Sequence, residues 1–240
     1  MMPASIGLEA IEAILFDLDG TLVETDNRWA RQLSERLAFL RRLNRRLDTD
    51  RLGRDIVMAL ETPSNYTISV LERLGLGRSI YGLADRIRRS KGVATRGASV
   101  LVEGTRDLLE SLDGHFRLAI VTTRARPEAL SFLTEQALAR YFPVVVTRLD
   151  VWRMKPHPAP IRWAAHLLGA DPSRCLMVGD TTVDILAARR AGAIAVGVLS
   201  GFGERDELWR AGAHLVLGSA IELLSYLPSG ECARSTPSRA

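Results

Sequence analysis

Short apolar runs punctuate this chain, and stretches with helical periodicity separate them. The runs are AILF at 13–16, RLAIV at 117–121, PVVVT at 143–147, CLMV at 175–178 and AIAVGV at 193–198, with a weaker HLVL at 214–217. Short and rich in β-branched side chains, they predict strands buried on both faces. Between them, residues 104–112, 127–139, 158–168, 181–191 and 219–227 predict helices. Pro127 and Pro158 fall where a first helical turn tolerates proline. Strand and helix alternate from residue 100 onward. That order implies an α/β, Rossmann-like parallel sheet flanked by helices on both faces.

Residues 22–97 break the rhythm. Trp29, Leu33, Leu37, Leu40, Leu43 and Leu47 share one helical face with arginines opposite, and further helical pieces follow at 54–61, 66–74 and 80–90. The expected organisation is a core of 1–21 and 98–227, a small helical cap at 22–97 inserted after the first strand, and a disordered polar tail at 228–240.

Composition narrows the class. With 240 residues, 47% hydrophobic and 25% charged, the chain has the make-up of a soluble globular protein with room for a sizeable core. No apolar stretch approaches the ~20 residues of a membrane span, and the N-terminus lacks the pattern of a secretory signal. The two cysteines, Cys175 and Cys232, have no metal-ligand spacing, so a reduced, cytoplasmic setting is expected. The net charge of +4 is carried almost wholly by arginine, with lysine only at Lys91 and Lys155. Such an excess does not by itself define a patch, and no basic stretch interleaved with aromatics accompanies it. Nucleic acid is therefore not an expected partner.

In an open parallel sheet, ligands bind beyond the carboxyl ends of the strands. The first strand runs into Asp17-Leu18-Asp19-Gly20-Thr21 and the second into Thr122-Thr123. The fourth ends at Gly179-Asp180 with Asp184 one helical turn later, and Lys155 lies in the loop RMKPHP. Asp17, Asp19 and Asp180 would concentrate negative charge, which needs a positive partner. Hard oxygen ligands point to Mg²⁺. Lys155 adds a second positive charge and Thr122 a hydroxyl, while Gly20 and Thr123 offer backbone N–H groups to a tetrahedral anion. Each element has a plainer reading. Asp-x-Asp-Gly can be a turn. Asp180 can be an N-cap, with Asp184 on the exposed side of the helix. Lys155 can be a surface lysine and Thr122 an ordinary strand end. Together and in order, they point to one phosphate site.

This ordered set, DLDGT, a strand-terminal Thr, Lys before Pro and GDTTVD, resembles the haloacid dehalogenase superfamily of phosphohydrolases over residues 12–225, above all its phosphoglycolate-phosphatase-like branch. The resemblance implies that Asp17 is a nucleophile forming an aspartyl-phosphate, and that Asp19 is first general acid and then general base. It implies that Thr122 and Lys155 hold the phosphoryl group. Asp180 would bind Mg²⁺ with the Asp17 carboxylate and the Asp19 carbonyl, and Thr21 and Asp184 would be supporting residues, Asp184 behind the metal site or Lys155. The insert would be a mobile cap, and the substrate a small phosphorylated metabolite. A dehalogenase would not need the second carboxylate. A phosphosugar mutase or pyrophosphatase would use the same motifs. A phosphonate-cleaving relative would want a cap lysine, for which Lys91 is a poor candidate. From another class, a non-catalytic phosphoryl-ligand or nucleic-acid-binding module would keep the fold without turnover.

Overall fold

Strands that are apolar on both faces must be covered on both, and the sheet is built that way. The computed structural model describes residues 10–24 and 100–227. The chain divides into two compact units, Met1–Glu24 with Val100–Ala240 and Thr25–Ser99. The described residues all belong to the first, so the helical cap and the polar tail expected from sequence lie outside them.

In chain order the described elements are β1 (Ala13–Phe16), α1 (Thr105–Leu112), β2 (Arg117–Val121), α2 (Arg126–Glu135), β3 (Val144–Val146), α3 (Ala159–Leu168), β4 (Cys175–Gly179), α4 (Thr182–Ala191), β5 (Ile194–Val198), α5 (Arg205–Arg210) and β6 (Leu215–Leu217). The six strands pair in parallel in the order β3-β2-β1-β4-β5-β6. This is the doubly wound, Rossmann-like arrangement, and its direction reverses between β1 and β4.

Alternation along the strands divides the core into two layers. Ile14, Phe16, Leu118, Ile120, Leu176 and Val178 face α1 and α2 through Leu108, Leu109, Leu112, Phe132 and Leu133. Ala13, Leu15, Ala119, Val121, Met177 and Ala195 face α3 and α4 through Ile161, Ala164, Ala165, Ile185 and Ala188. Small residues dominate the second layer, so those helices lie close to the sheet. Phe16 is level with Ile120 on one side and Val178 on the other. Asp17 therefore emerges level with the ends of β2 and β4, and its N–H donates to Val178 O at 2.9 Å.

The structure departs from the sequence reading in four places. The helix expected over 127–139 stops at Glu135, because Ala137 adopts a left-handed φ of 56° and the chain resumes as a 3₁₀ turn at Ala139–Tyr141. The helix expected at 219–227 is a 3₁₀ segment, Ala220–Ser225. The helix α5 was not foreseen, since six residues with Leu208 alone buried carry too little periodicity. Leu22 and Val23, assigned to the insert, are buried in the core, and Glu24 N–H donates to Val100 O at 2.8 Å. Pro158 is the N-cap of α3, and Pro160 occupies its first turn. Among the described residues, no helix is long and apolar enough to cross a membrane.

Candidate active site

The ends of β1 and β4 bring the acidic residues together at the point where the sheet order reverses. Asp17, Asp180 and Asp184 each place a carboxylate oxygen within 4.8 Å of the others. Lys155 reaches into the group from the loop before α3. Its ammonium lies 2.9 Å from Asp17 Oδ1, 2.6 Å from Asp184 Oδ1 and 3.0 Å from the Val121 carbonyl oxygen. The side chains of Lys155 and Asp184 are withdrawn from water, and that of Asp17 is 13% exposed.

The three donors of Lys155 are thus aimed at protein acceptors. Sequence reasoning assigned Lys155 to the phosphate. The structure places it first as the counter-ion of Asp17 and Asp184, beside the atom that a phosphoryl group would approach.

Asp184 is neither exposed nor peripheral. Thr181 is the N-cap of α4, and its N–H and hydroxyl donate to Asp184 Oδ2 at 3.1 and 2.5 Å in a capping box. Lys155 takes the other oxygen. The N-cap reading of Asp180 therefore fails, because the cap is one residue later. That leaves the Asp180 carboxylate free to turn into the site.

Asp180 is held from behind. Its Oδ2 accepts the Phe202 N–H at 2.9 Å, and a Cβ on either Gly20 or Gly201 would collide with that oxygen. Gly20 also sits at φ 75°, a conformation that side chains disfavour. Its N–H was expected to cradle an anion, but it donates to Val23 O at 2.8 Å and closes the turn after β1. The contribution of Gly20 is room for Asp180, not a donor. Ser200 fastens the loop after β5 to the same turn by donating to Gly20 O at 2.7 Å. Sequence reasoning missed Ser200, Gly201 and Phe202, for which the signal was a glycine-containing loop, SGFG, directly after a strand.

The buried polar atoms test whether this pocket fits a cation. Among the described residues, Asp180 Oδ1 and Thr21 Oγ1 are buried without a hydrogen-bond partner. A carboxylate oxygen left bare in a dry pocket is costly unless a cation meets it. Three carboxylates against one lysine leave a balance of two negative charges, which a divalent ion would cancel. Without an ion the site holds protons instead. Burial pushes the Asp17 carboxyl up to about 7 against the pull of Lys155, with Asp184 and Asp19 adding to the rise. Burial, then Asp184 and Asp17, raises Asp180 well above the usual carboxylate range. Burial alone would lower Lys155, but Asp17 and Asp184 hold it above its ordinary value and keep it charged. The donor set fits a hard divalent cation.

Asp19 stands apart from the trio. Its side chain is 45% exposed and forked by Arg124, whose Nε donates to Oδ2 at 2.8 Å while Nη2 pairs with Oδ1. Sequence reasoning passed over Arg124, although it directly follows Thr122 and Thr123. Thr122 is buried at the end of β2, where its N–H donates to Val146 O at 2.9 Å and its Oγ1 accepts the Arg124 N–H at 3.1 Å. Thr123 is half-buried beside it. His157, two residues beyond Lys155, accepts the Ala159 N–H at 3.2 Å and stacks edge-on to Trp152, a structural role.

A Rossmann-ordered sheet with an acidic cluster and one buried lysine at its switch point defines a class, and comparison with known proteins supplies its family. The sequence pattern of the haloacid dehalogenase-like hydrolases matches residues 14–198, and the chain belongs to that family of enzymes. It is 32% identical over 219 residues to the pyrophosphatase PpaX of Anoxybacillus flavithermus, covering 90% of this chain and 97% of that one. It is 29% identical to the phosphoglycolate phosphatase of Photorhabdus laumondii, covering 93% and 95%. Among solved structures, a hydrolase from Pseudomonas syringae superposes with a TM-score of 0.61 at 30% identity, over 89% of this chain and 96% of that one.

Proposed function

We propose that this hydrolase is a Mg²⁺-dependent phosphatase that cleaves a small phosphate monoester of the phosphoglycolate kind through an aspartyl-phosphate. The observation that supports this reading is the setting of Asp17, with one oxygen on Lys155 and the whole group inside the acidic trio. Lys155 holds the Asp17 carboxylate in place and leaves its second oxygen for attack on phosphorus. As that bond forms, the bond from phosphorus to the leaving oxygen breaks, and Asp19 delivers a proton to the departing alkoxide. Water then attacks the acyl phosphate, Asp19 takes the water proton, and orthophosphate leaves with Asp17 regenerated. Thr122 and Thr123 border the phosphoryl position from the end of β2. A Mg²⁺ ion held by Asp17, Asp180 and the Asp19 backbone carbonyl, with Asp184 behind them holding Lys155, would supply neutralisation of the charge on the transferring group.

Pyrophosphate is the second reading, favoured by the pyrophosphatase relative that matches nearly the whole chain. The test is a panel of phosphoglycolate, pyrophosphate, glycerol phosphates and sugar phosphates compared by kcat/KM. Orthophosphate release that needs Mg²⁺ and disappears with EDTA or in Asp17→Asn is the expected outcome. Absence of release from every compound with Mg²⁺ present rejects the proposal.

A further inference from the structure

The Asp19–Arg124 pair poses a problem for the mechanism just described. An acid that delivers a proton to the leaving oxygen must present a carboxyl oxygen to it, yet both oxygens of Asp19 are engaged by one guanidinium. The fork is built rather than incidental. Arg124 is anchored at its N–H by Thr122 Oγ1 at 3.1 Å, and its guanidinium lies 5.1 Å from the ring centroid of Phe132 on α2. Its side chain is 18% exposed against 45% for Asp19, so the guanidinium is the more deeply set member of the pair. Arginine stays charged under all working conditions, and its planar head recognises carboxylates and phosphates alike.

The acid role proposed for Asp19 then decides which part of the substrate meets Arg124. Whatever Asp19 protonates is the leaving group, and Arg124 is attached to Asp19, so Arg124 borders the leaving group and not the phosphoryl being transferred. The fork uses the Nε–Nη2 edge. Among the described residues, none accepts a hydrogen bond from Nη1 of the same head.

We infer that Arg124 is the specificity residue for an anionic leaving group. A carboxylate or second phosphoryl on the departing fragment binds the guanidinium, and this exchange releases an oxygen of Asp19 to the leaving atom. A neutral alcohol fragment offers nothing to exchange and leaves Asp19 clamped. The inference rests on the phosphatase reading above and narrows its substrate class.

The experiment measures kcat and KM with Mg²⁺ for 2-phosphoglycolate, pyrophosphate and 2-hydroxyethyl phosphate, the last having a neutral hydroxymethyl group where the first has its carboxylate. Wild type, Arg124→Gln and Arg124→Lys are compared. In Arg124→Gln the kcat/KM of an anionic substrate falls about 10- to 100-fold, mainly through KM, as expected for loss of a charged hydrogen bond. That of 2-hydroxyethyl phosphate rises a few-fold, so the preference collapses. Arg124→Lys, which keeps the charge but loses the fork, retains part of it. Phosphoglycolate and pyrophosphate arms show which anion the site takes. A ratio of anionic to neutral substrate that stays within about threefold of wild type in Arg124→Gln overturns the inference, whether both rates fall or neither does. If Arg124→Gln does not melt cooperatively, the same ratio in Arg124→Lys decides. A wild type active on these compounds with an unmoved ratio sinks only the role of Arg124. A wild type inactive on all three but active on a glycerol or sugar phosphate sinks this inference alone, and one inactive on the whole panel sinks the phosphatase reading and this inference with it.

Discussion

Lys155 Nζ lies 2.6 Å from Asp184 Oδ1, and both side chains are fully buried. The same ammonium holds Asp17, so one cation ties the start of β1's loop to the first turn of α4. Removing one member of a buried ion pair strands the other, which typically costs about 3–5 kcal/mol. Lys155→Met should therefore lower the stability of the metal-free protein by that order, measured by urea denaturation. Added Mg²⁺ should recover part of the loss, because the stranded carboxylates become ligands.

Asp180 depends on the absence of side chains around it. Gly201→Ala drives a methyl group into Asp180 Oδ2. The substitution should raise the Mg²⁺ concentration for half-maximal activity by about 10- to 100-fold, the usual cost of disturbing a group that orients a ligand. Titration of activity with Mg²⁺ checks this. An unchanged midpoint would show that Asp180 does not hold the ion.

Protons would compete with a bound cation at Asp17 and Asp180. Asp17 is pushed up to about 7 in the folded protein from an ordinary 3.8, and Asp180 is raised as well, both chiefly by burial. An acid with a raised folded-state pKa adds stability that is fully present below its unfolded value and is lost as pH rises through the folded one. For these groups the metal-free protein loses stability between about pH 4 and pH 8. A divalent ion replaces the departing protons, so the Mg²⁺-induced rise in Tm should be small at pH 5 and large at pH 8. Thermal melts across that window, with and without Mg²⁺, test the sign.

Cys175 is packed in β4 with its thiol pushed up to about 11 by burial. In a Cys232→Ser background, alkylation at pH 8 should follow global unfolding and not precede it. Rapid labelling of the native protein would show that β4 opens on its own.

Much of this architecture was legible in the chain. The runs AILF and RLAIV became β1 and β2 without a residue of change, because a strand buried on both faces announces itself as a run with polar ends. Asp17, Lys155, Asp180 and Asp184, singled out from the sequence, are residues that the fold brings together beyond the strand ends, where ligands collect in a parallel sheet. The helical cap expected from sequence lies outside the described residues. Pairings between distant residues were not legible. Arg124 and Asp19 stand 105 positions apart, and nothing in either local pattern says that they meet. Nor did the sequence show that Gly20 spends its N–H within its own turn, or that Lys155 divides its donors among three protein acceptors.

By itself the sequence determined the order of the strands, most of the helices between them and the residues delivered to the sheet's edge. Burial periodicity and turn chemistry are local properties, written in consecutive residues. Only the tertiary structure decided which carboxylates share a pocket, which one is paired outside it and which atoms remain bare. Those outcomes depend on strand register, on side-chain room next to glycine and on charge balance in a place without water, all of which exist only once remote segments have come together.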